Sequence, residues 1–290
     1  MTITTRLFGK SGPAVTQVGL GGEGVLRTYG QNPDARAVIE QAALQGITYF
    51  DSAQAYAGSQ GYYGAFWRSH AQLRSGIFQT SKSAGRTRQE ARQDLQRTLS
   101  NLHSDYLDLW QVHDVRTAEE VEEIFGPGGA MEAFKEARER GLVRFIGVTG
   151  HHDPAITLRC MERFDFDTIL FPFNYATWNA GNFGPQVMAM AKEKNMGILA
   201  LKAMAKGPWP EGADRSAYPK CWYEPLIGEE DITMGFRFTM SHPVTAAIPP
   251  GDENLFRQAL ALAHNLRPLD QSEVISIKEK ALKGVPLFRS

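Results

Sequence analysis

Short apolar and β-branched runs recur along the chain, at 15–20, 46–51, 76–80, 106–112, 143–148, 168–171, 197–201 and 244–248. Runs this short and this continuously apolar predict strands buried on both faces, as in a parallel sheet. Between them the pattern changes period. Over 86–102, Ala91, Leu95, Leu99 and Leu102 form one apolar stripe among polar residues, which predicts an amphipathic helix. Thr87 and Glu90 stand at capping-box spacing at its start. The stretches 33–44, 128–140, 154–164, 185–194 and 252–265 read the same way. Gly46 and Gly141 fall where a helix ends in a left-handed residue, and Asp153-Pro154 reads as an N-cap followed by proline at N1. Strand and helix alternate throughout, which predicts a parallel sheet with right-handed crossovers. An open doubly wound sheet satisfies the alternation. About eight units fit a closed (β/α)8 TIM barrel better, with 1–290 as a single domain. The segment 6–15, with Gly9 and Gly12 at turn positions, predicts an N-terminal β-hairpin. The segment 267–290 predicts a short C-terminal helical tail, helix over 271–282 and then extended chain.

Composition narrows the function more than the fold. The chain has 290 residues, and its 31 basic and 32 acidic side chains leave a net charge of −1. That balance argues against a nucleic-acid binder and removes any overall pull toward anionic membranes. No window approaches 18 uninterrupted apolar residues, so no membrane span is expected. The first dozen residues carry no apolar h-region, so no signal peptide is expected either. Cys160 and Cys221 are isolated, and His151-His152-Asp153 lacks a third spaced ligand; neither a metal site nor a disulfide framework is predicted. A cytoplasmic protein acting on a small molecule is the expectation.

In a barrel the chemistry gathers where strands end. The second, third and fourth strands end at Asp51, Lys82 and His113, two steps of 31 residues. Equal steps of one βα unit put the three side chains at one height on neighbouring strands. Tyr56 follows Asp51 by five residues, enough for a turn to return its hydroxyl over the mouth. A lysine ammonium near the phenol should favour the phenolate and lower its pKa. Asp51 can hold that lysine, and His113 can donate to a substrate oxygen. Together they make a proton donor and a clamp for a carbonyl, which then needs a separate hydride source. The stretch 19–24 spells G-x-G-x-x-G, but Gly30, Asn32 and Pro33 follow where a dinucleotide-binding fold needs an immediate helix. In a barrel these glycines form the loop after the first strand. The long loop 205–228, with Trp209, Tyr218, Trp222 and Tyr223, reads either as a packed lid or as an aromatic substrate wall.

The stretches 6–22, 46–66, 78–82, 104–114, 141–151 and 247–251 resemble, in order, the aldo-keto reductase family. The resemblance implies an NAD(P)H-dependent barrel, with NADP(H) ahead of NAD(H), that reduces an aldehyde or ketone or runs the reverse. It implies a catalytic tetrad of Asp51, Tyr56, Lys82 and His113, with Tyr56 as general acid. It implies cofactor contacts from Gly21, Gly22, Thr149, Gly150, His151, Asn174, Leu201 and Lys202. Pro250, Gly251, Asn254 and Arg257 would stand beside the adenosine phosphates. At the family's Ser-Asn after the fifth strand this chain has Thr149-Gly150, and Pro250-Gly-Asp-Glu-Asn254 places acids ahead of Arg257. The other reading carried forward is a cofactor-binding regulatory or sensory module on the same fold.

Overall fold

The computed structural model describes residues 3–9 and 12–290. Strands β1 (Thr5–Leu7) and β2 (Ala14–Thr16) pair antiparallel, the expected hairpin. Gly9 takes a φ of +62°, while Lys10 and Ser11 lie outside the described residues. The hairpin closes the bottom of the barrel: the Phe8 ring sits 4.3 Å from that of Phe78 and 5.7 Å from that of Phe145.

The barrel strands are β3 (Tyr49–Phe50), β4 (Phe78–Ser83), β5 (Leu107–Val112), β6 (Val143–Thr149), β7 (Thr168–Pro172), β8 (Gly197–Leu201) and β11 (Ala246–Ile248), all parallel to their neighbours. Their order runs β11-β8-β7-β6-β5-β4-β3. The eighth position is filled by 18–20, which bridge Ala247 on one side and Phe50 on the other and close the ring. The run 15–20 is therefore divided: its first residues belong to the hairpin and its last to the barrel. Gly19 permits that passage, since a Cβ there would lie 2.5 Å from the Tyr49 ring.

Helices α1 (Asn32–Leu44), α2 (Ser59–Ser69), α3 (Arg88–Leu102), α4 (Ala118–Phe125), α5 (Ala130–Glu139), α6 (Pro154–Arg163), α7 (Tyr175–Asn179) and α8 (Pro185–Glu193) surround it. After the short hairpin β9 (Ala205–Gly207) and β10 (Glu224–Pro225) come α9 (Glu229–Met240), α10 (Glu253–Ala263) and α11 (Gln271–Lys283). The Thr87–Glu90 capping box forms, Gly46 and Gly141 take positive φ, and Asp153 caps α6 ahead of Pro154. The G-x-G-x-x-G stretch opens only a single 3-10 turn at Gly24–Arg27, and no helix follows directly.

Two apolar layers result. Phe8, Val15, Tyr49, Phe78, Leu109, Leu170 and Leu199 fill the barrel, and a larger layer lies between strands and helices. Among the described residues no helix is long and apolar enough to cross a membrane.

Candidate active site

Asp51 leaves the end of β3 and Lys82 lies near the end of β4, both inside the barrel. Lys82 Nζ donates to Asp51 Oδ2 at 2.6 Å and to the Ser52 carbonyl at 2.8 Å. Thr80 Oγ1 donates to the other Asp51 oxygen at 2.8 Å. The loop after β3 doubles back because the Tyr56 N–H donates to the Ala53 carbonyl and Gln54 N–H to the Lys82 carbonyl, each at 3.1 Å. That turn lays Tyr56 over the mouth, with its ring centroid 4.8 Å from Lys82 Nζ. His113 follows β5, and its ring meets that of Tyr56 edge-on at 5.8 Å. All four residues proposed from spacing thus converge. Lys82 and Asp51 are 0% and 1% exposed, Tyr56 and His113 6% and 8%, so the phenol and imidazole are the members that reach the surface of the site.

They open onto a cleft of about 860 Å³, bordered also by Glu23, Arg27, His151, Lys202, Trp222 and Phe288. The electrostatics depart from expectation in one respect. Burial, with Glu23 and Asp51 adding to it, raises the Tyr56 phenol well above its ordinary value, so the expected lowering by Lys82 does not prevail. Burial outweighs Asp51 at Lys82 as well, and lowers its ammonium. Burial and the Lys82 charge hold His113 well below the ordinary histidine value, and burial takes His151 down to about 4. Both imidazoles are neutral at pH 7.

The expected cofactor residues divide into three groups. His151 and Lys202 border the cleft. Lys202 is held at φ +63°, with Nζ donating to Glu23 Oε2 at 2.8 Å and about 5 Å from the Trp222 and Tyr223 rings. Gly21, Pro250 and Gly251 line a small neighbouring cavity and Gly22, Thr149, Gly150 and Asn174 are buried, several with structural reasons for their identity. A Cβ on Gly22 would lie 2.6 Å from Ser59 Oγ, one on Gly150 1.9 Å from Thr157 Oγ1, and one on Gly251 2.2 Å from the Glu23 carbonyl. Thr149 Oγ1 accepts the Asp114 N–H at 2.7 Å, which holds the turn after β5. The third group lies away from the cleft. Leu201 packs in the barrel interior, while Asn254 and Arg257 are exposed on α10.

Two buried polar atoms bear on whether a nicotinamide fits. Asn174 Oδ1 caps α7 by accepting the Thr177 N–H, but among the described residues its Nδ2 has no partner, and neither has His151 Nε2. Unpaired buried polar atoms at strand ends suit a neutral amide group. The adenosine-phosphate end differs. The N–H groups of Asn254 and Leu255 that open α10 already donate to Asp252 Oδ1, at 3.0 and 3.1 Å. Arg257 lies 3.6 Å from Glu253.

Spacing along the chain did not single out Glu23, Arg27 or Phe288. Glu23 and Arg27 carried one local signal, an acid and a base at i and i+4. Of the aromatic loop residues, Trp222 borders the cleft, whereas the Trp209 indole N–H donates to the Cys221 carbonyl and packs the loop on itself.

The C-terminal mouth of a parallel barrel thus holds a buried lysine–carboxylate pair beneath a tyrosine and a neutral histidine, at the end of the fold where barrel enzymes carry their chemistry. The chain belongs to the aldo/keto reductase family, whose model matches residues 17–223. This supports an oxidoreductase role, in a family that uses nicotinamide cofactors. The chain is similar to L-galactose dehydrogenase of Arabidopsis thaliana, 24% identical over 217 residues. That match spans 71% of this chain and 66% of that protein, just under two thirds of its length. It is also similar to the uncharacterized oxidoreductase YqkF of Bacillus subtilis (strain 168), 21% identical over 97% of both chains. The crystal structure of an aldo-keto reductase from Klebsiella pneumoniae in complex with NADPH shares the fold. Its TM-score is 0.74 at 19% identity, over 100% of this chain and 98% of that one.

Proposed function

We propose that this protein interconverts a carbonyl and an alcohol with a nicotinamide cofactor, using Tyr56 as the proton donor in reduction. The observation that carries the reading is the buried Asp51–Lys82 pair packed beneath Tyr56 and His113, which both line one cleft. Bound nicotinamide would supply the hydride. Tyr56 holds the proton at its Oη, and its high pKa keeps that proton in place at neutral pH. His113, neutral, can donate from one ring nitrogen to the substrate oxygen and orient it. Asn174 Nδ2 and His151 Nε2, both buried without a partner among the described residues, would hold the cofactor's amide.

The substrate we favour is polar and of sugar size. Glu23, Arg27, Asp114, Arg116 and His152 wall the cleft with hydrogen-bonding groups, and Trp222 and Phe288 add apolar faces. Alternating polar groups and aromatic faces suit a polyol better than a hydrophobic aldehyde. The similarity to L-galactose dehydrogenase supports the same choice. The whole of 1–290 acts as one domain in this reading, since α11 packs on α7 and α9 and the tail beyond it carries Phe288 to the cleft.

The test is cofactor oxidation or reduction over a panel of aldoses, lactols, polyols, aromatic aldehydes and keto acids. Turnover confined to hydroxylated substrates is expected. Tight cofactor binding with no turnover on any member would instead favour a regulatory module.

Cofactor choice is a separate prediction. An α10 N-terminus already capped by Asp252, with Glu253 beside it, offers poor ground for an added 2′-phosphate dianion. Fluorescence titration should give NADH a Kd no weaker than that of NADPH. A Kd for NADPH tenfold or more below that for NADH would show that Arg257 leaves Glu253 for the phosphate.

A further inference from the structure

The loop after the first barrel residues carries two charges to the proton donor. The Arg27 guanidinium carbon lies 4.7 Å from the Tyr56 ring centroid, as near as Lys82 Nζ at 4.8 Å. Lys82 is engaged below by Asp51 and the Ser52 carbonyl. Arg27 is half-exposed to the cleft, and among the described residues it pairs with Glu23 Oε1, at 3.2 Å. The other Glu23 oxygen accepts from Lys202 across the mouth at 2.8 Å. Burial works to raise the Glu23 carboxyl, but Lys202 and Arg27 more than offset it, so the group stays ionised.

We propose that Arg27 is a positioning residue for Tyr56, the cation that eases release and return of the phenol proton, and that Glu23 sets how strongly Arg27 acts. The proposal rests on the reading of Tyr56 as proton donor. Glu23 is placed to do this because it divides its charge between Arg27 and Lys202, so anything that draws Lys202 away strengthens its hold on Arg27.

Other charges also face the phenol. Asp51 from the end of β3 and Asp114 from the turn after β5 oppose its ionisation, as Glu23 does, and Arg27 favours it. Lys82 of β4 lies against the ring from the barrel, and His113 stands edge-on but neutral. Glu23 and Arg27 are the pair of opposite sign that can be altered without disturbing the buried floor of the site.

The test uses the full chain with tyrosine isotope-labelled at Cζ, followed by NMR against pH. The Tyr56 resonance is identified by its loss in Tyr56→Phe. Glu23→Gln should bring Tyr56 ionisation down by about one pH unit, tenfold in the equilibrium. Adding Arg27→Met should return it upward by a similar amount, and Arg27→Lys in place of Met should keep most of the Glu23→Gln shift. Alcohol oxidation supplies a second readout. Below the midpoint the phenolate fraction follows the same factor, so kcat/KM for oxidation should rise about tenfold in Glu23→Gln and fall back in the double variant. Melting temperature and near-ultraviolet circular dichroism confirm folding of each.

A Tyr56 resonance and an oxidation rate that stay the same across the series overturn the proposal, as do two substitutions that move ionisation the same way. Undiminished turnover in Tyr56→Phe would overturn the proton-donor reading instead, and the resonance shifts would still report the tuning.

Discussion

Tyr56→Phe is expected to lower carbonyl reduction by about a thousandfold, within the span of 10²–10⁴ that a positioned acid contributes. The same change should leave the cofactor Kd within about twofold, because the phenylalanine keeps the ring that packs against Arg27 and Lys82 and deletes only the hydroxyl. Stopped-flow or steady-state assays with a reactive aldehyde would read the first quantity, and fluorescence titration the second. The split between them is the informative part. A loss confined to kcat assigns the hydroxyl to the chemical step. A parallel loss of cofactor affinity would make Tyr56 a binding residue and leave the acid to be sought elsewhere, with His113 the next group on the cleft. The pH dependence should agree. With the phenol raised well above its ordinary value by burial, Glu23 and Asp51, reduction has no reason to weaken through neutral and mildly alkaline pH.

Much of this arrangement could be read from the chain because it depends on local period. Equal steps of 31 residues translate directly into equal height on neighbouring strands, and Asp51, Lys82 and His113 meet as that rule requires. Helix α3 was legible because one face is wet, so its apolar stripe stands out. Helix α2 was not. It is buried on more than one face by Gln60, Tyr62, Tyr63, Phe66 and Trp67, and Gly64 is there because the Asn101 carbonyl would lie 1.9 Å from any Cβ. Close packing erased its period and put Gly64 in its middle. Helix α9 was missed for a similar reason, with Gly235 against Leu226. Phe288 and Glu23 depend on tertiary placement. One arrives at the cleft at the end of the tail and the other faces Lys202, 179 positions away, and no spacing rule reaches so far. The sign of the Tyr56 shift failed for a related reason. A neighbouring ammonium can be anticipated from sequence, whereas the depth of burial that outweighs it cannot.

The Asp51–Lys82 pair should separate stability from activity. The two charges are almost wholly buried, and burial outweighs the aspartate in its effect on the lysine, so the pair is held at a cost to the folded state. Removing one partner strands the other. Asp51→Ala leaves an ammonium with the Ser52 carbonyl as its remaining partner among the bonds it now makes, and Lys82→Met leaves a carboxylate with the Thr80 hydroxyl. Each single change is expected to lower unfolding free energy by about 3–5 kcal/mol, read as a lower urea midpoint at unchanged m. Replacing both, as Asp51→Leu with Lys82→Met, removes the stranded charge and restores an apolar interior. The double variant should be at least as stable as the wild type, by up to about 1–4 kcal/mol in comparable cases, and it should be inactive. A double variant that loses the sum of the two singles would mean the pair stabilises the barrel outright. Stability without turnover would mean that the charges persist for what they do at the barrel mouth. They hold the floor on which Tyr56 rests, and they keep a cation beneath the phenol when its proton leaves.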